Sequence, residues 1–309
     1  MHSHHSHSGD YVEHAKDHLD DVVQEAIRRQ FKVFCLTEHM PRLDYDHLYP
    51  EEIELKETVE SLEETFDKYY HHARRLQKEL QDKIHLLVGM EAERIDDRYF
   101  DYVNKIREKY PLDMIVGSIH HTNTIPIDYS QDWWYKSRES VSSTGDEVKD
   151  TLELFKQYFD DQCAMLQKLQ PDVVGHFDLI LLFTPEKLKY LITESSIWEK
   201  IVRNISYAVK IGSLFEINSA AVRKGLGTPY PCTVILKQIK KEGGQVCLSD
   251  DSHGIAQVGL NFHVSAAYLQ ENGISEISYL YKASPESKVE KRAAPISEVN
   301  EWVKSQPSM

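Results

Sequence analysis

Histidines and carboxylates recur along this chain wherever a short apolar run ends. The first segment carries His5 and His7, with His14 beyond them. The run KVFCLT leads into Glu38 and His39, IHLLVGM into Glu91, and MIVGSI into His120 and His121. DVVGH supplies His176, followed by Asp178, and QVCLS leads to Asp250, Asp251 and His253. Residues two apart on a strand point the same way, so His5 with His7, or Asp251 with His253, can grip one ion. Imidazole nitrogen combined with carboxylate oxygen suits Zn, Fe or Mn better than Ca or Mg. The number of such groups exceeds what one tetrahedral ion can use, which implies two or three divalent metals. A single strand-end histidine is more often a capping or surface residue, and HSHHSHSG alone would read as a tag or a metal-sticky tract. The ordered series, one or two groups per apolar run, is what points to a site.

The elements that must position these groups alternate regularly. The apolar runs Lys32–Thr37, Ile84–Met90, Met114–Ile119, Asp172–His176, Ser213–Ile217 and Gln245–Ser249 are short and rich in Val, Ile, Leu or Phe. They read as strands buried on both faces. Helical patterns lie between and around them, at Leu19–Gln30, Glu51–Gln81, Tyr99–Lys109, Glu147–Leu169, Glu194–Lys210 and Pro231–Glu242. About seven strand–helix alternations predict a parallel α/β architecture, open or closed. In either form the C-terminal strand ends face one side, where the loops converge and sites form. Neither GxGxxG nor a Walker loop follows any strand, which removes the usual nucleotide-binding readings. The stretch Asp128–Asp146 reads as a long loop, a lid over the site, whose Trp133, Trp134 and Tyr135 could stack on a substrate ring. The polar end from about Ala283 reads as a surface segment closed by a short helix. With no internal repeat or linker, residues 1–309 are expected to form one domain.

Hydrophobic residues make up 41% and charged residues 28% of the 309, ordinary for a globular chain that buries a core. Fifty acidic against 36 basic residues leave a formal charge of -14 and no basic run, which argues against a nucleic-acid partner. Bound metal would offset that charge locally and admit an anionic small molecule. Cys35, Cys163, Cys232 and Cys247 are scattered, as expected of reduced thiols in a cytoplasmic protein. The absence of long apolar runs predicts no membrane span. Apolar helix stripes fit a core or a subunit interface equally well.

Taken in order, HSH with a later His, TEH, GME, GSIHH, GHFD and SDDSH resemble the polymerase-and-histidinol-phosphatase (PHP) family, from His5 to about Gly259. Within it the pattern is most similar to the fungal-type histidinol-phosphate phosphatases. The stretch EINSAAVRKGLGTPYP resembles the family segment that carries a phosphate-binding arginine, here Arg223. The resemblance implies a distorted (β/α)7 TIM-like barrel and a cluster of two or three divalent ions. It also implies metal-dependent hydrolysis of L-histidinol phosphate to L-histidinol and phosphate, in histidine biosynthesis. Carried over position by position, the metal ligands are His5, His7, His14, His39, Glu91, His120, His176, Asp251 and His253. The spacing from His5 to His14 is one residue longer than the family pattern, which leaves Asp10 as a rival to His14. TEH stands where TDH is commoner.

Such a site would act by a metal-activated water attacking phosphorus in line, with Glu91 bridging two ions. Asp251 and His253 join Glu91 as expected catalytic residues, with His253 one option for the acid that protonates the leaving group. Arg223 is expected to fork onto the phosphate, with Lys224 as a weaker second contact and His121 as a neighbour of the substrate. Without the resemblance, Arg223 would read as a surface ion pair or a helix cap. Glu38, Glu93 and Asp178 could receive the ammonium and imidazole of histidinol, or orient metal-bound histidines. One rival keeps the fold and changes the ester to another small phosphate or a nucleotide. A metal-storing module and an amidohydrolase-type barrel also fit an HxH start, but the latter usually needs a strand-end bridging lysine that this chain lacks.

Overall fold

The computed structural model describes residues 1–306. In chain order the elements begin with strand β1 (His2–Ser3), helix α1 (Leu19–Arg28), β2 (Val33–Leu36), α2 (Pro50–Glu54), α3 (Val59–Glu79) and β3 (His85–Glu93). They continue with α4 (Arg98–Lys109), β4 (Met114–Ser118), β5 (His121–Thr122), β6 (Ile125–Pro126), α5 (Gln131–Val141), α6 (Glu147–Leu169) and β7 (Val173–Val174). The last third holds α7 (Ser195–Ile211), β8 (Leu214–Asn218), α8 (Ala220–Arg223), α9 (Thr233–Lys241), β9 (Gln245–Ser249), α10 (Phe262–Glu271), β10 (Glu276–Tyr281), β11 (Glu290–Pro295) and α11 (Ile296–Ser305). Seven strands run parallel in the order β1-β2-β3-β4-β7-β8-β9. The His4 N–H donates to the Leu248 carbonyl at 3.2 Å, and Ser6 bridges Ser252 in parallel, so the last strand meets the first. The result is a near-closed α/β barrel of seven strands.

Period-two alternation explains both its stability and its site. On the inner face, Val33, Cys35, Leu87, Met114, Val116, Val173, Leu214 and Cys247 pack with Leu280 of β10 into one small core. On the outer face, Phe34, Leu36, Leu86, Val88, Ile115, Val174, Phe215, Ile217, Val246 and Leu248 join the large core shared with the helices. Each such buried side chain contributes about 1.5–3 kcal/mol. Continuing the inner parity upward gives Thr37 and His39, Glu91, Ser118 and His120, Glu216 and Asn218, and Ser249 and Asp251. The barrel interior is therefore apolar at its lower end and ionisable at its upper end. Where β3 lies against β4 the backbones approach closely: a Cβ on Gly89 would sit 2.5 Å from the Met114 carbonyl oxygen.

The lower end is stoppered by the β10–β11 hairpin, antiparallel from Glu276↔Pro295 to Tyr281↔Glu290. Beneath it Asp113 accepts hydrogen bonds from Arg74, Gln77, the Val88 N–H and Lys282. His4 joins this packing, donating from Nδ1 to the Leu248 carbonyl and accepting the Leu280 N–H at Nε2.

Four expectations need correction. Asp128–Asp146 is mainly helix, not a long loop: Ser130 caps α5, and the fully buried Trp134 donates to the Ile180 carbonyl. Glu51–Gln81 is two helices, because Lys56 adopts φ 60° and Thr58 caps a new start. The segment from about 283 does close with a short helix, α11, but with β11 it sends Ala294, Ile296, Val299 and Trp302 into the main core. Its exposed charges are those of a hairpin edge strand, which hid the pairing. The strand β10 and the helix α10 escaped the periodicity altogether.

Candidate metal centre

The upper ends of the strands gather around Glu91, whose side chain is 1% exposed. Its position follows from register, since the parallel bridge between His39 and Glu91 extends the β2–β3 ladder by three residues. One carboxylate oxygen, Oε2, lies 3.2 Å from His5 Nε2, 3.5 Å from His7 Nε2 and 2.9 Å from His39 Nδ1. The other, Oε1, lies 3.3 Å from His120 Nε2 and 3.2 Å from His176 Nε2, and these two nitrogens are 3.2 Å apart. Across the ring, Asp251 Oδ1 approaches His5 Nε2 at 3.8 Å, His7 Nε2 at 3.6 Å and His253 Nδ1 at 3.6 Å. Asp251 reaches this place with φ 46°, a left-handed conformation that a non-glycine residue adopts only when its surroundings impose it.

The protonation pattern is that of a cation site. Burial opposes it, but the charges of His5, His120 and His39 hold the Glu91 carboxyl well below the usual carboxylate range. Against its own desolvation, His5 is drawn well above the usual imidazole value by Glu91, Asp251 and Glu216. His120 is drawn up in the same way, first by Glu91. Burial and then repulsion from His5 push His7 down to about 3, and burial with His7 does the same to His39. His253 also falls, through burial and then His7. The carboxylates here demand positive charge, which a bound cation would supply in place of protons on His5 and His120.

Do these residues fit metal ions? Among the described residues, His5 Nε2, both ring nitrogens of His7, His120 Nδ1 and His176 Nδ1 are buried without a hydrogen-bond partner. Such atoms cost free energy unless something else fills them. Three sets bring ligand atoms within 4.8 Å of one another: His7 with His39 and His253, His5 with His7 and Asp251, and His39 with Glu91 and His120. The sets overlap, as in a multinuclear centre, and their N/O donors match Zn, Fe or Mn. The residues fit.

Other expected residues stand at varied distances from this centre. His14 lies at the rim with its side chain 40% exposed, 3.5 Å from Glu51, its ring 5.0 Å from that of His253 and 5.5 Å from that of His39. Its rival Asp10 instead accepts from His18 and the Leu19 N–H, holding the start of α1. His121 is turned away: it is fully buried, 2.8 Å from Glu93, which also pairs with Arg42, and it does not line the cavity. Arg223 lines the cavity and donates to the Asp250 and Asp251 carbonyls, while Lys224 beside it is exposed. Asp178 lies under the Cys232 N–H, not in the cavity, and Glu38 accepts from Ser8 with its carboxyl pushed up to about 8 by burial.

Sequence reasoning passed over two groups. Glu216 bonds His5 Nδ1 at 2.8 Å and the His176 N–H at 2.7 Å. Its inward parity in SLFEI was the available signal. Asp128 and Tyr129, with Tyr49 and Glu51, line the cavity wall that strand order sets across the ring from Arg223 and Lys224. Reading 128–146 as a lid obscured them.

Comparison with known proteins agrees with this geometry. The model of the PHP domain matches residues 3–220. A probable histidinol-phosphatase of Schizosaccharomyces pombe is 45% identical over 281 residues, covering 91% of this chain and 89% of that one. The histidinol-phosphatase of Saccharomyces cerevisiae is 35% identical over 334 residues, covering 96% and 97%. Among solved structures, histidinol phosphate phosphatase from Lactococcus lactis, complexed with zinc, L-histidinol and phosphate, superposes with TM-score 0.65 at 19% identity. That match covers 94% of this chain and 98% of the other, and at this identity it speaks for the fold alone.

Proposed function

Since the chain belongs to the PHP domain family, we propose that it hydrolyses L-histidinol phosphate to L-histidinol and phosphate. It is a phosphoric monoester hydrolase that works with two or three divalent metal ions. The observation that carries this reading is Glu91, whose two oxygens face separate groups of imidazoles, His5, His7 and His39 on one side and His120 and His176 on the other. Full-length similarity to two fungal histidinol-phosphatases supplies the substrate.

Divalent ions held there would supply an acidified water and Lewis-acid neutralisation of phosphoryl charge. The chain's own contribution is positional. His5, His7, His39, His120, His176, His253, Glu91 and Asp251 would hold the ions. His14 at the rim would complete the set. Their burial excludes bulk water, which strengthens every interaction with the substrate's charge. Arg223 is held by two backbone carbonyls with its guanidinium at the cavity, so its fork is oriented before substrate arrives. Lys224 adds charge from the exposed side of the same turn. Across the cavity Asp128 and Glu51 offer carboxylates, and Tyr49 and Tyr129 offer stacked rings with centroids 6.0 Å apart. That wall suits the ammonium and imidazole of histidinol, leaving the phosphate to the arginine side. Asp251 and His253, beside Glu91, lie within reach of the reacting atoms.

The experiment is phosphate release from L-histidinol phosphate against sugar phosphates and nucleotides, before and after chelation and with Zn, Mn or Fe restored. Selective, metal-dependent release from L-histidinol phosphate is expected. Metal-dependent release from other esters only would overturn the substrate and keep the site.

A further inference from the structure

One buried carboxylate links ligands from three separate parts of the chain. Glu216 Oε1 accepts from His5 Nδ1 at 2.8 Å. Its Oε2 accepts from the His176 N–H at 2.7 Å and from Asn218 Nδ2 at 3.0 Å. The same Asn218 nitrogen reaches Asp251 Oδ2 at 3.3 Å, while Asn218 Oδ1 accepts the Ala220 N–H at 2.8 Å. His5 follows β1, His176 follows β7 and Asp251 follows β9, so three loops meet on β8. Glu216 is 1% exposed and does not line the cavity, so it can act on substrate only through these neighbours.

We infer that Glu216 is a positioning residue for the metal centre: it fixes His5 as the Nδ1–H tautomer and sets His176 and Asp251 in register with it. With the proton held on Nδ1, the His5 Nε2 lone pair is left facing Glu91 and Asp251, where an ion would sit. This rests on the metal reading above but not on which phosphate ester is hydrolysed. A carboxylate is required because every group around it donates. Glutamine offers one oxygen and one NH2. If its oxygen serves His176 and Asn218, its NH2 meets His5 Nδ1, which must then accept. The ring proton moves to Nε2, and the coordinating lone pair is lost. If its oxygen serves His5 instead, two donors face an NH2.

The test is Zn retention by the whole protein, dialysed against chelators of graded strength, for wild type, Glu216→Gln and Glu216→Asp. In parallel, the ¹⁵N shifts of the histidine rings are recorded with Zn in excess, where His5 carries a single ring proton. Apparent Zn affinity is expected to fall about 10–100-fold in Glu216→Gln, with a new Nε2–H tautomer in place of an Nδ1–H one. Glu216→Asp keeps two acceptors and should recover most of the loss. Wild-type retention in both variants would overturn the assignment of Glu216 alone. Failure of both variants to fold with Zn in excess would make Glu216 a purely structural carboxylate and overturn it too. A wild-type chain that holds no Zn would instead overturn the metal reading, and this inference with it.

Discussion

At the lower end of the barrel Asp113 accepts from Arg74, Gln77, Lys282 and a backbone N–H, whereas at the upper end both ring nitrogens of the fully buried His7 lack a hydrogen-bond partner among the described residues. The same seven strands run between both ends, and Asp113 stands just ahead of β4, where α3 and the residue after β10 reach it. The difference teaches how to read burial. A saturated buried charge is finished, and its neighbours exist to keep it so. A crowd of imidazoles and carboxylates with free lone pairs is poised for something that arrives later. Stability should depend on the first and activity on the second.

The sharpest way to break this contrast is at Glu91. Glu91→Gln should lower kcat/KM by at least about 10³-fold and release metal, because it removes the carboxylate that faces His5, His7, His39, His120 and His176. Phosphate-release kinetics with elemental analysis of the purified variant would check this. Next comes Arg223, for which Ala should cost about 10²–10³-fold in kcat/KM while metal content stays unchanged. Lysine there should restore little, since a point charge does not reproduce the fork. Equal losses in metal content and turnover would merge the arginine with the ligand set and blur the proposed division.

At the other end, Asp113→Ala should leave Arg74 and Lys282 without their shared partner and cost about 2–4 kcal/mol in urea unfolding. Its kcat/KM should stay near wild type once the protein is folded. A large activity loss there would mean that the two ends are coupled. The smallest effect is in acid. Burial opposes it, but Arg74 holds the Asp113 carboxyl below its ordinary value. Its contribution is therefore complete above that value and fades as pH falls through the depressed one, below about pH 4. Urea midpoints measured down to pH 3 should fall more steeply for wild type than for Asp113→Asn.

What could be read from residues alone was decided by how local the cause is. Strands such as Cys35–Leu36 and Val116 announce themselves because β-branched and apolar residues fill both faces, and each ends at an ionisable group. Glu216 was missed although it sits in the same kind of run, because the Glu that opens EIN looks like an ordinary strand residue. Its role exists only once β1, β7 and β8 are side by side. Helix α5 was missed because Ser, Gly and two Trp suggest a loop, while the burial of Trp134 against the Ile180 carbonyl is a tertiary fact. Likewise the charged β11 looks like solvent-exposed tail until β10 pairs with it. Of the site, the residues that touch one another within a motif were legible. Those that act through partners far along the chain were not.

The seam between β9 and β1 carries a consequence in time. His4 bonds Leu248, and His5 faces Asp251, across almost the whole chain. A ribosome that has produced the first half of this protein has made His5, His7, His39, Glu91 and His120, yet none of the closure that holds them in place. Contacts of such separation form late, because the entropy of bringing distant segments together must be met first. The centre therefore reports on finished synthesis: a chain interrupted before β9 carries seven of the nine expected ligands, lacks Asp251 and His253, and has no closing strand to hold the others in place.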